Sequence, residues 1–279
     1  MEKSGITGIA DLSRARARLR VTGADRVAFL QGQCTNDVKR LGTGQSCYAA
    51  YLTAKGKMRG EGAVVCLADA FLLEANIGLD PSLRKFIITE DVEIEDVSGI
   101  WGEWLVIGGA ETALAPDATT FAHPLGTGVL SRQALIPTVN SESLEVLRIE
   151  AAVPKWGVDM DENTIPNEAG LEKRAISHNK GCYIGQETIA RIRTYGHVNR
   201  QLVLLGIQTQ AGTSVPLVPA PGEKIFSEER EVGHVTSGVY SEQLGKVVAL
   251  GYVRREFARM GMKLKFNQRT VEVLRVCGA

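Results

Sequence analysis

The sequence has no excess of either charge and no long apolar run. Lys plus Arg and Asp plus Glu each total 32, so the formal net charge is zero. A chain with this balance is poorly suited to coating nucleic acid or an anionic membrane. No stretch of 18 apolar residues and no signal-peptide pattern occurs, so we expect no membrane-spanning segment.

Cysteine is scarce and unpatterned. The cysteines are odd in number and no two form a C-x2-C pair: Cys34, Cys47, Cys66, Cys182 and Cys277. This argues against a secreted disulfide framework and against a structural zinc site. We therefore expect no bound metal and a reducing location such as a bacterial-type cytoplasm.

What is present is typical of a globular protein. The chain has 279 residues, of which 44% are hydrophobic and 23% are charged, and this length suits roughly two domains. Short strands alternate with short helices up to about residue 198, and strand patterns alone follow. This change predicts one domain over residues 1–198 and a second, β-rich domain over residues 199–279, with a proline-rich loop over 211–222.

Turn residues and periodicity predict the elements of the first part. The expected elements that matter below are strands over 46–52, 62–68 and 70–76 and helices over 23–32 and 141–153. Gly32 is expected to stop the first helix, and Asp80 to cap another helix that has Pro81 in its first position. Residues 115–128 are rich in Pro, Thr and Gly and are expected to be a loose connection.

Residues 14–21 alternate arginine with small or apolar residues, which is the period of a strand. The alternation places four arginines on one face: Arg14, Arg16, Arg18 and Arg20. We interpret this face as a solvated strand surface, with a stripe that binds an anion or RNA as the alternative.

The segment over 178–200 carries the most chemical information. Two glycines flank Cys182, so the backbone can bend sharply there. A helix is expected from Gln186, which places the thiol just before a helix N-terminus, with Lys180 two residues away. Both features would stabilise a thiolate, the form that attacks electrophiles. The alternative is a small buried cysteine that fills space in the core.

The run Lys180-Gly-Cys-Tyr-Ile-Gly-Gln-Glu187, followed by Ala190-Arg191, resembles the signature of the YgfZ family of folate-binding proteins. These proteins are relatives of the glycine cleavage T-protein, an aminomethyltransferase. The resemblance extends over most of the chain and includes Thr35-Asn-Asp-Val38, Pro166-Asn-Glu-Ala-Gly-Leu171 and Ala249-Leu-Gly-Tyr-Val253. It implies that Cys182 is the functional thiol and that its setting is shaped by Lys180, Gln186, Glu187 and Arg191.

The resemblance also implies an α+β fold. Two α+β subunits form a T-protein-like folate-binding domain around a central cavity, and an antiparallel β-barrel follows. The strand and helix pattern described above is compatible with this architecture without requiring it.

A folate site follows from the same resemblance. Glu168 matches the carboxylate that recognises the pterin ring, and one carboxylate can accept two hydrogen bonds from an aminopyrimidine edge. Asn76 matches an asparagine of the pterin pocket, with capping of a turn as the alternative. Arg200 matches a basic position near the glutamate tail of folate, with a surface role as the alternative. Tyr195 either lines the pocket or belongs to the core.

One departure from the T-protein pattern bears on catalysis. The T-protein carries an Asp-Asp pair, one of which takes part in the reaction, where this sequence has Gly60-Glu61. Glu61 supplies a carboxylate nearby, but its side chain is one methylene longer and would aim differently. Group transfer tolerates little displacement of the reacting atoms. The departure and the cysteine motif both favour the YgfZ-like branch.

Three functions are compatible with these features. The favoured one is an auxiliary factor that binds tetrahydrofolate or a one-carbon derivative and supports assembly or repair of iron–sulfur proteins, including tRNA-modifying radical enzymes. Its expected partners are folate and iron–sulfur client or assembly proteins, without direct contact with nucleic acid or a membrane, and it is expected to be a monomer. The alternative is a folate-dependent aminomethyl or one-carbon transferase in which Glu61 replaces the aspartate. The third is a binding module with a relic folate pocket.

Overall fold

The computed structural model describes residues 6–110, 112–207, 217–267 and 269–278. The chain divides into two compact units, each built from two segments of the sequence. Unit 1 comprises Met1–Ser141 and Arg174–Ala190, and unit 2 comprises Glu142–Lys173 and Arg191–Ala279. Within the described ranges, no helix has the length and apolar character needed to span a bilayer.

Strands and helices are mixed along the chain. The strands are β1 (Gly8–Asp11), β2 (Arg16–Thr22), β3 (Ser46–Leu52), β4 (Met58–Cys66), β5 (Phe71–Asn76), β6 (Glu93–Asp96), β7 (Gly102–Ile107), β8 (Thr119–His123), β9 (Gly126–Ser131), β10 (Arg200–Ile207), β11 (Lys224–Ser227), β12 (Arg230–Ser241), β13 (Lys246–Arg254), β14 (Lys263–Phe266) and β15 (Arg269–Val276). The helices are α1 (Arg26–Gln33), α2 (Leu79–Arg84), α3 (Ser141–Glu150), α4 (Glu172–Ala175) and α5 (Gln186–Tyr195).

Unit 1 contains two antiparallel sheets. The first has the strand order β3-β4-β5-β2-β6 and the second the order β1-β7-β9-β8. Every residue of β5 is buried, since this strand is central in its sheet and both of its faces are covered. Helix α1 packs Phe29 and Leu30 into the apolar core of the first sheet, beside Tyr51 and Leu73. The predicted strands over 46–52 and 70–76 are confirmed by β3 and β5.

Strand β2 confirms the predicted strand but not its solvated face. The Arg18 side chain is buried and donates at 2.5–2.9 Å to the main-chain oxygens of Ser13, Arg16, Ser98 and Trp101. Arg16 forms ion pairs with Glu61 and Glu74. The prediction of a solvated surface is therefore wrong for these two arginines, because the fold sets acids and carbonyl groups against them.

Two predicted helix limits also differ from the structure. Gly32 lies inside α1, which continues to Gln33, since glycine only weakens a helix that packing holds in place. Asp80 is not the cap of α2. The N-cap is Gly78, with φ of 95°, a left-handed conformation that glycine adopts at little cost. Asp80 lies in the first turn and pairs with Arg84 at 2.7 Å.

The expected loose connection over 115–128 is wrong as well. It contains β8 and the start of β9, a hairpin whose register pairs His123 with Gly126. The pairing of β9 with β7 outweighs the turn-like composition of the segment. Helix α3 confirms the predicted helix but ends at Glu150, and Ala152 follows with φ of 57°.

Unit 2 is built around a closed barrel of six strands, all paired antiparallel, in the order β10-β13-β12-β11-β14-β15. Apolar side chains fill its interior, including Val203, Leu205, Val235 and Phe266. The α+β fold with a C-terminal antiparallel barrel is thus confirmed. The barrel begins at β10, and the domain boundary at residue 199 stays a prediction. Of the predicted loop over 211–222, residues 211–216 lie outside the described ranges.

A buried carboxylate fastens the segment after α3 to the barrel. Asp159 accepts hydrogen bonds from Arg148 at 2.5 Å and from the hydroxyls of Thr236 and Ser237 on β12 at 2.5 and 2.7 Å. The amide of Lys155 adds a fourth at 3.0 Å. A buried carboxylate with this many donors has its hydrogen-bonding capacity well satisfied. The backbone at Asp159, from which the chain continues to Glu168, is therefore held in place.

Candidate functional site

The main chain around Glu168 is held against two strands of the barrel. The Glu168 carbonyl accepts a hydrogen bond from the amide of Leu202 on β10 at 2.8 Å. Gly170 has φ of 74°, and a side chain there would collide with the backbone of Cys277, just after β15. Close approach of two backbones requires a residue without a Cβ. The loop that carries Glu168 therefore has little freedom to shift.

The structure brings Glu168 and Arg200 together. Arg200 Nε and Nη2 each lie 3.1 Å from Glu168 Oε2, and the amide of Ile165 lies 3.4 Å from the same oxygen. Among the described residues, no hydrogen bond reaches Glu168 Oε1. One carboxylate oxygen is thus occupied by protein donors, and the other is available to a ligand.

Two aromatic residues of the barrel complete this cluster. The Arg200 guanidinium lies 4.6 Å from the centre of the Tyr252 ring, a cation–π contact. The Tyr252 and His234 rings lie 5.9 Å apart. Burial raises the pKa of the Tyr252 phenol, and burial lowers that of His234, helped by the Arg200 charge. In the described part of the chain the buried Tyr252 hydroxyl has no hydrogen bond of acceptable geometry, although the Thr164 hydroxyl is near.

Glu61 and Asn76 are also neighbours, within unit 1. Asn76 Oδ1 accepts a hydrogen bond from the Glu61 amide at 2.9 Å, and its Nδ2 makes a long contact of 3.4 Å with the Ile77 carbonyl. Gly60 makes room for this amide, since a side chain there would collide with Asn76. The oxygen of Asn76 is thus used within the protein, and its amino group is the part with capacity for a ligand.

The Glu61 carboxylate is enclosed by donors. Arg16 Nη1 lies 2.5 Å from Oε1 and Nη2 lies 3.2 Å from Oε2, while the Tyr48 hydroxyl donates to Oε2. Burial alone would raise the pKa of this carboxyl, but the Arg16 charge and these hydrogen bonds outweigh it and hold the pKa below its usual value. Glu61 is an ionised group, and each of its two carboxylate oxygens receives at least one protein donor.

The same cluster extends to further titratable groups of unit 1. Arg174 stacks on the Tyr48 ring at 3.7 Å. Burial, with the Arg174 and Arg16 charges, lowers the pKa of His123 to about 3, so this histidine is neutral. Burial and the neighbouring Glu74 raise the pKa of the Glu103 carboxyl well above its usual range. The interior accepts charge only where a partner is in contact.

Cys182 lies on the surface of unit 1, and Lys180 does not. Cys182 is the only exposed cysteine of the five. The Lys180 ammonium is buried and donates at 2.7 Å to three carbonyl oxygens, those of Gln31, Cys34 and Asn36. These bonds fasten the base of the cysteine loop to the end of α1. Burial lowers the pKa of this ammonium.

The remaining residues of the motif lie on α5. Gln186 begins the helix and is half-buried, whereas Glu187 and Arg191 are exposed and interact with other residues. Tyr195 ends the helix with 81% of its surface exposed. A core position is thus wrong for Tyr195. Its place in a ligand pocket stays a prediction, as do the roles of the other motif residues.

Sequence reasoning missed the residues that hold the two carboxylates. Arg16 and Tyr48 enclose Glu61, and Tyr252 supports Arg200, yet none was expected in a site. The available signal was an excess of charged residues within strands, because a charge on a central strand must find a buried partner. Among the described residues, no three side chains of the His, Cys, Asp and Glu types form a group that could hold a metal ion.

Two family models match the chain. One, described as the GCVT N-terminal domain, matches residues 5–120, and the other, the glycine cleavage T-protein C-terminal barrel domain, matches residues 200–276. The first covers the sheet that holds Glu61 and Asn76, and the second covers the barrel that holds Arg200 and Tyr252.

Individual relatives agree with these matches. The tRNA-modifying protein YgfZ of Vibrio vulnificus is 30% identical over 242 residues, which cover 76% of this chain and 72% of that protein. The aminomethyltransferase of Thermosynechococcus vestitus is 28% identical over 308 residues, which cover 94% and 81%. The crystal structure of aminomethyltransferase T from Bartonella henselae matches with a TM-score of 0.79 at 19% identity, covering 98% of this chain and 86% of that one. This last likeness shows the fold.

Proposed function

This chain belongs to the family of YgfZ and the glycine cleavage T-protein, and we propose that it is a folate-binding auxiliary factor for iron–sulfur proteins. Its cofactor is tetrahydrofolate or a one-carbon derivative, and its clients include radical enzymes that modify tRNA. It acts as a monomer through contacts with client or assembly proteins, not with nucleic acid or a membrane. Cys182 is the functional thiol.

The observation that carries this proposal is the exposure of Cys182 on a loop fastened from below. Four cysteines are buried or half-buried, and Cys182 is the one whose thiol is most open to another protein. The three carbonyl bonds of Lys180 fix where the loop starts, so the thiol is presented at a defined place. Clusters usually take four ligands, so one thiolate acts together with groups of the client.

Folate binding is supported by the family and by the open oxygen of Glu168. A carboxylate that keeps one oxygen free of protein donors can accept hydrogen bonds from the amino and ring N–H groups of a pterin. The Asn76 amino group supplies a donor of the kind that a pterin carbonyl would accept.

The state of Glu61 disfavours the transferase alternative. The family's reaction uses an aspartate that this chain lacks, and Glu61 would have to replace it. Arg16 and Tyr48 donate hydrogen bonds to both oxygens of its carboxylate. Its lowered pKa makes it a poor proton donor. We expect no ammonia release above the uncatalysed rate from tetrahydrofolate and an aminomethylated lipoyl carrier. Release that Glu61→Gln abolishes would establish the alternative.

The thiol is tested by replacement in a strain that lacks its own factor. Cys182→Ala and Cys182→Ser should fail to restore the activity of an iron–sulfur enzyme, whereas the wild-type chain restores it. Cys66→Ala is a matched control because it removes a half-buried thiol of the same unit. Equal rescue by wild type and both Cys182 variants, at equal protein level, would remove this residue from the function.

The cofactor is tested by titration with tetrahydrofolate under reducing conditions. A ligand that binds the native state at 100 times its Kd should stabilise the protein by about 2.7 kcal/mol. Thermal unfolding and the fluorescence of the three tryptophans report it. Absence of any shift at millimolar tetrahydrofolate would favour a binding module with a relic pocket.

A further inference from the structure

We propose that Arg200 is a positioning residue for the Glu168 carboxylate and does not bind the glutamate tail of folate. This inference rests on the proposed folate function and specifies how unit 2 recognises the ligand. It replaces the role that family resemblance assigns to Arg200 with one that the contacts of this chain favour.

The geometry of the ion pair between Arg200 and Glu168 favours a positioning role. Two nitrogens of Arg200 converge on a single oxygen, Glu168 Oε2, at 3.1 Å, and the Ile165 amide approaches it from the loop. A carboxylate held at one oxygen can no longer rotate freely, so its other oxygen points in a fixed direction. Arginine suits this task since its planar fork holds an acceptor in a defined geometry.

Arg200 is itself held in place by the barrel. It begins β10, a strand paired on both sides within the closed barrel, and the Tyr252 ring of β13 covers one face of its guanidinium. With one face on an aromatic ring and two nitrogens on Glu168, the arginine serves the carboxylate.

The length of folate separates the pterin ring from the glutamate tail. In folate, the p-aminobenzoyl group separates the pterin ring from the glutamate. A pterin recognised by Glu168 places its amino and ring N–H groups at the carboxylate, and the tail leads away from that edge. A guanidinium in contact with the same carboxylate is therefore at the pterin end of the molecule.

Two ligands that differ only in the tail separate the two roles. We would titrate wild type and Arg200→Gln with tetrahydrofolate and with tetrahydropteroate, which lacks the glutamate, and measure both Kd values calorimetrically. If Arg200 positions Glu168, the substitution weakens both ligands by the same factor, on the order of 10-fold for one charged contact. If it binds the tail, tetrahydrofolate alone is weakened and the proposal is overturned.

Arg254→Gln is the matched control. Arg254 lies opposite Arg200 on β13 and is exposed, so its removal changes the local charge without touching Glu168. It should leave both Kd values within twofold of wild type. Should Arg200→Gln fail to fold, Arg200→Lys keeps the charge but loses the fork, and the same comparison of two ligands applies to it.

A double substitution tests whether Arg200 acts through Glu168. Once Glu168→Gln has removed the carboxylate, adding Arg200→Gln should weaken tetrahydropteroate no further, because the residue it positions is gone. Independent, multiplicative losses would contradict the proposal. If wild type binds neither ligand, the proposed folate function fails and takes this inference with it, an outcome distinct from loss of tetrahydrofolate alone.

Discussion

The two units each hold a carboxylate against an arginine, and the two pairs are built differently. In unit 1, Arg16 reaches Glu61 and Glu74 at once and Tyr48 donates as well. In unit 2, Arg200 reaches one oxygen of Glu168 and keeps about a third of its side chain exposed. The first arrangement gives both carboxylate oxygens of Glu61 a protein donor, whereas the second leaves one oxygen of Glu168 without a donor among the described residues.

The difference teaches how to tell a structural carboxylate from a binding one. A buried ion pair whose members are saturated by protein groups is costly to break but has nothing left to offer a ligand. A partly exposed pair with a free oxygen contributes little to stability and can be completed by an incoming donor. By this criterion we expect Glu61 to belong to the framework of unit 1 and Glu168 to belong to the proposed folate site.

Substitution of the two arginines should give the largest difference in stability between the two ion pairs. Arg16→Met leaves two buried carboxylates without their partner and should lower the free energy of unfolding by about 3–5 kcal/mol. Arg200→Met, the matched change in unit 2, should cost less than Arg16→Met, because Arg200 pairs with one carboxylate and keeps about a third of its side chain exposed. Urea unfolding measures both. Similar losses in the two variants would show that the arrangements do not differ in the way described.

The next effect concerns the response of unit 1 to acid. His123 is neutral when folded, with a pKa of about 3, whereas the unfolded chain binds this proton near pH 6.5. The unfolded state thus gains protons first, and stability falls as pH drops through this window. Between about pH 7.5 and pH 5, wild type should lose about 2 kcal/mol more than His123→Gln. Parallel pH profiles of the two proteins would contradict a half-buried histidine that stays neutral in the folded state.

An effect of comparable size separates the hydroxyls of two tyrosines. Tyr48→Phe removes a hydroxyl that donates to an ionised carboxylate and should cost about 1.5–3 kcal/mol. Tyr252→Phe removes a hydroxyl without a hydrogen bond of acceptable geometry among the described residues, and should be neutral or slightly stabilising. Thermal and urea unfolding give both values. A cost for Tyr252→Phe as large as that for Tyr48→Phe would reveal a partner for the second hydroxyl.

The smallest effect on stability should accompany the largest effect on binding. Glu168→Gln should change the free energy of unfolding by roughly 0.5 kcal/mol or less, since its partner is partly exposed. It should nevertheless abolish most of the stabilisation that tetrahydrofolate gives wild type. Unfolding with and without ligand measures both quantities. A Glu168→Gln protein that tetrahydrofolate stabilises as much as wild type would remove this carboxylate from the site.

The fold was predictable where pattern and packing agree. The strands over 46–52 and 70–76 are rich in apolar residues and lie between turn residues, and the same holds for the strands of the barrel. The hairpin of β8 and β9 was missed because its composition is that of a loop, and its stability comes from pairing with β7. Local composition cannot report such a partner.

The site was predictable only as separate residues. Family resemblance pointed to Glu168 and Arg200, but their contact joins positions 32 apart in sequence. Arg16 was misread because its partners are carried by β4 and β5, and nothing near it in sequence announces them. Motif spacing along the chain identifies candidate site residues. Burial and side-chain pairing in the fold decide which of these residues already have protein hydrogen-bond partners.

The bonds of Lys180 also set an order of events during synthesis. The three carbonyl groups that receive its ammonium belong to residues made 144–149 positions earlier, and the whole first segment of unit 2 is made in between. Unit 1 therefore stays incomplete while the first segment of unit 2 is synthesised. Cys182 reaches its final setting only after that return, so the thiol is among the last groups of unit 1 to be put in place.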